Sequence, residues 1–223
     1  MSFKRFFIGK PVESFESAVA QLGLTANTKF VSMQQTHSSS ITQIKATTLA
    51  DTPVKIFNLP KVDACFTTQK DVFLSVKSAD CLPILISGFG TALKTPVPFV
   101  AAAHAGRTGT NLQILSCLLN ELQDTLSIVE TLRTEDQKLH IWFGPAICTD
   151  CYQIERKTDT HYNLVAQNEK QILDFFKEHN LNPQNSLQLD IAQHCTLHEP
   201  EKYYSYRATG PGVNMNYSFI GII

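Results

Sequence analysis

The amino-acid sequence predicts an α+β fold formed by one domain over residues 1–223. Three observations predict it. Short apolar runs end repeatedly in polar, Gly or Pro clusters, as buried strands do. Two longer segments repeat apolar side chains at helical spacing. No low-complexity stretch or internal repeat divides the chain, and 223 residues suffice to enclose a substantial core.

KFVSMQQ (29–35) and DVFLSVKSAD (71–80) read as strands that end at polar clusters, and PFVAAAHAG (98–106) as a short strand closed by Gly. After Gly109, Thr110 is placed to cap a helix beginning NLQILSCLLNELQDTL, in which Leu112, Leu115, Leu119 and Leu122 recur on one face. LHIWFGPAI (139–147) is a further strand, stopped by Gly-Pro. HYNLVAQNEKQILDFFKEHNL (161–181) supplies a second amphipathic helix with Leu164, Ile172 and Phe176 facing the core. NYSFIGII (216–223) reads as a last central strand. Cys65 and Cys117 have apolar neighbours and read as small core residues.

Lys and Arg number 19 against 20 Asp and Glu, a net charge of -1, so no surplus of positive charge favours gripping a nucleic-acid backbone. The start, MSFKRFFIGKPVESF, has its apolar run broken by Gly9, Lys10 and Pro11 and lacks a signal-peptide core. Apolar runs elsewhere fall well short of the ~18 residues a membrane span needs. The expectation is a soluble, cytoplasmic protein without nucleic-acid or membrane partners. Its six cysteines are then expected to be reduced. Protein partners and oligomeric state leave no mark in the sequence.

Three strand ends each present one metal-ligand type: QQTHSSSI offers His37, KSADCLPILI offers Cys81 and VAAAHAGRTGT offers His104. Singly, such residues are usually packed or hydrogen-bonded. Together, two imidazoles and a thiolate form a donor set that zinc accepts, and three protein ligands leave a fourth tetrahedral position for water or substrate. Ligands so far apart in sequence suit a catalytic site gathered from several strands. Structural zinc sites more often use tight local pairs. Such pairs are also present. CTDC gives Cys148 and Cys151, and HCTLH gives His194, Cys195 and His198. A closed zinc site there would require the two segments to meet, and it lacks the glycines and aromatics of a small zinc module, so these cysteines read as ordinary residues. A thioredoxin-type role for Cys148 and Cys151 is weaker, since no helix clearly starts between them.

The stretches QTH, SADCLPILI, AAHAGRTGT, GPAICTDCYQI and CTLHEPEKYYSYRATGPG occur in the order and context of one known family. From about Phe30 to the C-terminus the chain resembles the laccase-domain proteins, also called YfiH-like and long labelled polyphenol oxidases. The resemblance implies a single-domain sandwich of mixed β-sheets flanked by helices. It implies a zinc-dependent enzyme of purine nucleosides, cleaving them with phosphate as a purine nucleoside phosphorylase and deaminating adenosine. The family's metal ligands fall on His37, Cys81 and His104, with one zinc per chain expected and copper less favoured. Gln35, Asp63 and Asp80 also match family positions.

The departures concern arginine. Where the family has Trp-Arg after His-Ala-Gly, this chain has Arg107 and Thr108. Arg207 keeps the first arginine of a family pair, Ala208 replaces the second, and Asn214 stands where another arginine is expected. The segment before TKFVSMQQTH and the link ERKTDTH are short by family standards. Arg207 and Arg107 are therefore the available holders of phosphate, with Gln35 a further substrate-binding candidate whose alternative is structural hydrogen bonding. Cys81, His104 and Asp80 are the catalytic candidates. Asp80 either orients a ligand histidine or shuttles a proton, or is simply a turn residue. Three rivals stay open: a cysteine hydrolase using Cys81 with His104, a copper phenol oxidase, which needs more clustered histidines than this chain has, and a catalytically weakened zinc-binding regulatory protein.

Overall fold

The computed structural model describes residues 2–25, 27–50, 55–92, 95–134 and 137–223. Two mixed sheets stack face to face. One contains β1 (Phe3–Ile8), β2 (Lys29–Met33), β4 (Ile56–Leu59), β6 (Val72–Ser78) and β13 (Asn216–Ile222) in the order β1-β13-β6-β2-β4. The other contains β3 (Ile41–Ile44), β5 (Ala64–Thr67), β7 (Leu82–Ala92), β8 (Thr95–Ala105), β9 (Leu139–Phe143) and β12 (Leu187–Ile191) in the order β12-β9-β7-β8-β5-β3. The first sheet is antiparallel through β1, β13 and β6 and parallel through β6, β2 and β4. In the second, β12–β9 and β5–β3 are parallel pairs flanking an antiparallel centre.

Strand alternation divides the core into layers. Along β8, Val100 and Ala102 face the other sheet, where they and Leu85 of β7 meet Val31, Met33, Leu74, Val76 and Ile220. The alternate residues Phe99, Ala101 and Ala103 face the helices α4 (Ile114–Leu126), α5 (Ile128–Leu132) and α6 (Leu164–Glu178). The outer face of the five-stranded sheet buries Phe30, Phe73 and Phe219 beside α1 (Phe15–Gln21). Each fully buried side chain of this size contributes roughly 1.5–3 kcal/mol, which is why the register of both sheets is fixed.

The region after His104 departs from the sequence reading. A short helix α3 (Arg107–Asn111) starts at Gly106, the chain breaks at Gln113 in the left-handed region (φ 60°), and α4 begins afresh. Thr110 is therefore inside α3 and caps nothing; its hydroxyl accepts a hydrogen bond from Asn168 at 3.0 Å. The first-turn N–H groups of α4, which lack partners within the helix, are met instead from α6: Gln171 accepts from Leu115 and Ser116 at 3.1 and 3.0 Å. Leu112 is half exposed, at the break, whereas Leu115, Leu119 and Leu122 are buried. Cys65 is core, but Cys117 is only half-buried. Leu164, Ile172 and Phe176 of α6 are buried as expected, and Asn163 caps that helix by accepting from Ala166 at 2.8 Å. The link ERKTDTH forms part of a small ribbon of β10 (Gln153–Glu155) and β11 (Thr160–His161).

Candidate metal centre

Strand parity places the site at the seam between the sheets. His104, in step with Val100 and Ala102, ends β8 on its inter-sheet face. Cys81 immediately precedes β7, on the crossover from β6 in one sheet to β7 in the other. His37 lies on the loop after β2. Its φ of 61° is unusual for a residue with a Cβ, so something must hold it.

Asp63 does so. It is fully buried one residue before β5, and the β5–β8 register sets it beside His104, whose backbone N–H it accepts at 2.8 Å. Its Oδ2 accepts from the backbone N–H groups of Thr36 and Ser38 at 3.0 and 2.8 Å and from the Ser38 hydroxyl at 2.7 Å. Its Oδ1 accepts from the His37 N–H at 3.0 Å and from His104 Nδ1 at 2.9 Å. Burial pushes this carboxyl pKa up, but the hydrogen bonds from His104, Ser38 and Thr36 outweigh it and hold the group well below the usual carboxylate range. One carboxylate thus shapes the His37 loop and engages Nδ1 of His104, leaving Nε2 of that ring turned towards Cys81.

The donor atoms of His37, Cys81 and His104 lie within 4.8 Å of one another. Cys81 Sγ is 3.7 Å from His37 Nε2, and the two imidazoles meet edge to face with centroids 4.7 Å apart. Metal–ligand lengths of ~2.1 Å to nitrogen and ~2.3 Å to sulfur imply a tetrahedron edge of about 3.5 Å, so the trio fits zinc. Gly106 makes room for it. A Cβ there would lie 2.8 Å from both Cys81 Sγ and His37 Cδ2. His104 is buried, Cys81 half-buried and His37 exposed, so the open side of the trio faces solvent at His37. Burial pushes the Cys81 thiol up, yet hydrogen bonds and charge from His104 and His37 bring it down to about 6. Burial likewise lowers His104, but Asp63 and Cys81 raise it to about 9.

Asp80 is a junction. With φ at 91°, its Oδ1 accepts the Thr196 hydroxyl at 2.6 Å, its Oδ2 the Arg207 N–H at 2.7 Å and its carbonyl the Ile147 N–H at 2.9 Å. Among these carboxylates it is Asp63 that hydrogen-bonds a histidine of the trio. Its match to a family position marks Asp63 in the sequence, and its place beside His104 follows from the β5–β8 register. The Gln35 amide donates to the Lys77 carbonyl at 2.7 Å and accepts from the Lys77 N–H at 2.8 Å, tying the end of β2 to β6. Arg107 is exposed on the first turn of α3. Arg207 donates to the Gln153 carbonyl at 2.9 Å and lies 5.6 Å from the ring centroid of Tyr152. Burial raises the Tyr152 phenol, and the charges of Cys81, Arg107, Arg207 and Asp80 all act on it. Tyr152 therefore stands among the sequence-selected residues, although sequence reasoning had not singled it out. Other concavities lie apart from the trio; one of about 300 Å³ is lined by Met33, Gln34, Asn58, Leu59, Pro60 and Lys77.

The CTDC and HCTLH segments do meet, contrary to the sequence reading. Ala146 and Cys195 form a parallel bridge, and the Thr196 N–H donates to the Ala146 carbonyl at 3.1 Å. Cys148, Cys151, Cys195 and His198 bring their donor atoms within 4.8 Å of one another, while His194 turns away to Glu199 at 2.8 Å. The described cysteines are free thiols.

A sandwich of mixed sheets with an open His-Cys-His trio at the seam defines a class in which fold and donor set come together. The chain belongs to the multi-copper polyphenol oxidoreductase laccase family, whose model matches residues 11–222. It is 28% identical over 205 residues to a Haemophilus influenzae protein named purine nucleoside phosphorylase, covering 85% of this chain and 72% of that one. It is also 28% identical over 222 residues to adenosine deaminase RL5 from an unknown prokaryotic organism, covering 91% and 77%. A Streptomyces coelicolor protein named purine nucleoside phosphorylase is 30% identical over 140 residues, 62% of this chain and 49% of its own length. The match to that relative thus spans about half its length. Among solved structures, YlmD from Geobacillus stearothermophilus superposes with a TM-score of 0.65 at 20% identity, covering 92% of this chain and 77% of that one. The Bacillus licheniformis hypothetical protein YfiH gives 0.64 at 20% identity, covering 92% and 79%. These two share the fold.

Proposed function

We propose that the chain is a zinc-dependent enzyme of purine nucleosides, cleaving them with phosphate and deaminating adenosine. The observation that carries this reading is the His37, Cys81 and His104 trio, shaped by Asp63 and open towards solvent near Arg107, Arg207 and Tyr152. Zinc fits the donor set and, when bound, supplies Lewis-acid activation of a water molecule or a substrate heteroatom. Asp63 keeps the His104 proton on Nδ1, so Nε2 stays available. The Tyr152 ring offers a face on which a purine can stack. Arg207 and Arg107 supply the charge that would hold a phosphate dianion as its oxygen attacks C1′ and the C1′–N9 bond breaks, the electron pair leaving with the base. Deamination replaces the amino group at purine C6 with water oxygen and releases ammonia, so it makes no demand on the arginines. The relatives named purine nucleoside phosphorylase and adenosine deaminase support both halves.

The test is a nucleoside panel with and without phosphate, following base release and ammonia in parallel. Ammonia from adenosine, lost together with one equivalent of zinc in Cys81→Ala, is the expected result; full activity without that metal would overturn the reading. A second reading rests on Cys81 itself. Its thiol at about 6, beside the two imidazoles, is that of a nucleophile in an acyl-transfer hydrolase. Activity on esters that disappears when zinc is added would favour it.

A further inference from the structure

We propose that Cys148, Cys151, Cys195 and His198 form a second, closed zinc site of structural type, so that the chain carries two metal ions rather than one. The site is independent of the trio. Its spacing is Cys-x-x-Cys on one turn and Cys-x-x-His on another, and donors three apart on two facing turns give the four corners of a tetrahedron. Cys151 Sγ lies 3.1 Å from His198 Nε2, Cys148 Sγ lies 4.0 Å from His198 Nδ1, and the set spans 4.8 Å. The backbone is already folded around the sulfurs. The Cys148 N–H donates to Cys195 Sγ at 3.3 Å, the kind of contact that stabilises a metal-bound thiolate, while the Cys151 and Tyr152 N–H groups close the first turn onto the Cys148 carbonyl at 3.2 and 3.0 Å. The Glu199 N–H closes the second onto the Cys195 carbonyl at 3.1 Å. Three free thiols pack with an imidazole, the donor set that zinc takes up in closed sites.

Four protein donors leave no open position, so the role is to fasten rather than to react. What it fastens is the surroundings of the trio. Ile147 and Thr196, each next to a ligand, both bond to Asp80, which precedes Cys81 and also holds the Arg207 backbone. Tyr152, next to Cys151, is the ring beside Arg207. Clamping the two turns therefore fixes Asp80, Tyr152 and Arg207 relative to the trio.

The test is metal content of protein kept reduced and saturated with zinc, then freed of loose metal. Wild type should retain two equivalents, Cys81→Ala one, Cys151→Ser one and the double variant none. Cobalt loaded into Cys81→Ala should give the intense sulfur-to-metal charge-transfer absorption and visible bands of a tetrahedral thiolate-rich site. Because a cysteine variant can misfold, His198→Ala provides the second arm: His198 is exposed, and its loss should weaken the retained ion in the Cys81→Ala background by more than about tenfold in competition with a chromophoric chelator, since loss of even an outer-shell partner costs that much. One equivalent in wild type with none in Cys81→Ala, or undiminished affinity in His198→Ala, would overturn the proposal. So would a Cys148–Cys151 disulfide in the reduced preparation. Failure of the trio alone leaves one equivalent that Cys151→Ser removes, so the two sites fail distinguishably.

Discussion

A buried carboxylate with donors on both oxygens cannot be replaced by an amide, and Asp63 shows why. An asparagine there must turn its NH2 towards either the Thr36 and Ser38 N–H groups or the His37 N–H and His104 Nδ1, setting donor against donor. Asp63→Asn should lose about 3 kcal/mol of stability by urea denaturation, and any zinc held by the trio should bind roughly 10- to 100-fold more weakly. The pH sign follows from the depressed carboxyl. Its stabilising contribution is complete above the ordinary carboxylate value of 3.8 and is lost as pH falls from there towards the lower folded value, so metal-free wild type should lose stability with acid more steeply in that window than Asp63→Asn. Gly106 answers to shape alone. With an ordinary φ of -76°, Gly106→Ala carries no backbone strain, yet its methyl would displace Cys81 Sγ and the His37 ring. Loss of metal from the trio with the fold intact by circular dichroism is the expected outcome. His37, Cys81 and His104 were legible in the sequence because donor chemistry shows in residue type. The roles of Asp63 and Gly106 were not, since they depend on which strand pairs with which.

The helices show how far periodicity reaches. Leucine spacing located α4, and the pattern of Leu164, Ile172 and Phe176 located α6, because burial on one face repeats locally. The start of α4 escaped the same reading, since its cap comes from a residue more than fifty positions away. Gln171→Leu leaves the Leu115 and Ser116 N–H groups buried without acceptors and should cost about 2 kcal/mol. Amide exchange should quicken at those two residues before the rest of α4. Strand β1 carries little local signal: FKRFFI alternates only loosely, and its place is settled by pairing with β13.

For the molecule as a whole, the arginine departures set the balance between the two proposed reactions. Thr108 and Ala208 are both exposed, one beside Arg107 on α3 and the other beside Arg207 on α8 (Tyr206–Thr209). Phosphorolysis of inosine should be weak in wild type, with a high phosphate requirement. Thr108→Arg with Ala208→Arg should raise kcat/KM for phosphate by about tenfold or more, one Arg–phosphate contact being worth ~1.5–3 kcal/mol, while ammonia release stays unchanged. Saturation of wild type at low phosphate would show that Arg107 and Arg207 suffice. The sandwich of mixed sheets was legible through motif order, and no helix among the described residues is long and apolar enough to cross a membrane. The meeting of CTDC with HCTLH was not legible, because it depends on one β-bridge between segments nearly fifty residues apart.

The position of Cys81 on the passage between the sheets has a consequence for when the site can exist. His104 belongs to the six-stranded sheet and His37 follows a strand of the five-stranded one, so the trio assembles only when the sheets dock. The five-stranded sheet is completed by β13, which inserts between β1 and β6 and is made after every ligand. During synthesis the three donors leave the ribosome long before the geometry that unites them. If the trio holds zinc as proposed, capture of the ion is a closing event of maturation, and the ion holds the sheets together by the same free energy with which they hold it, about 2.7 kcal/mol when free metal is a hundredfold above its dissociation constant.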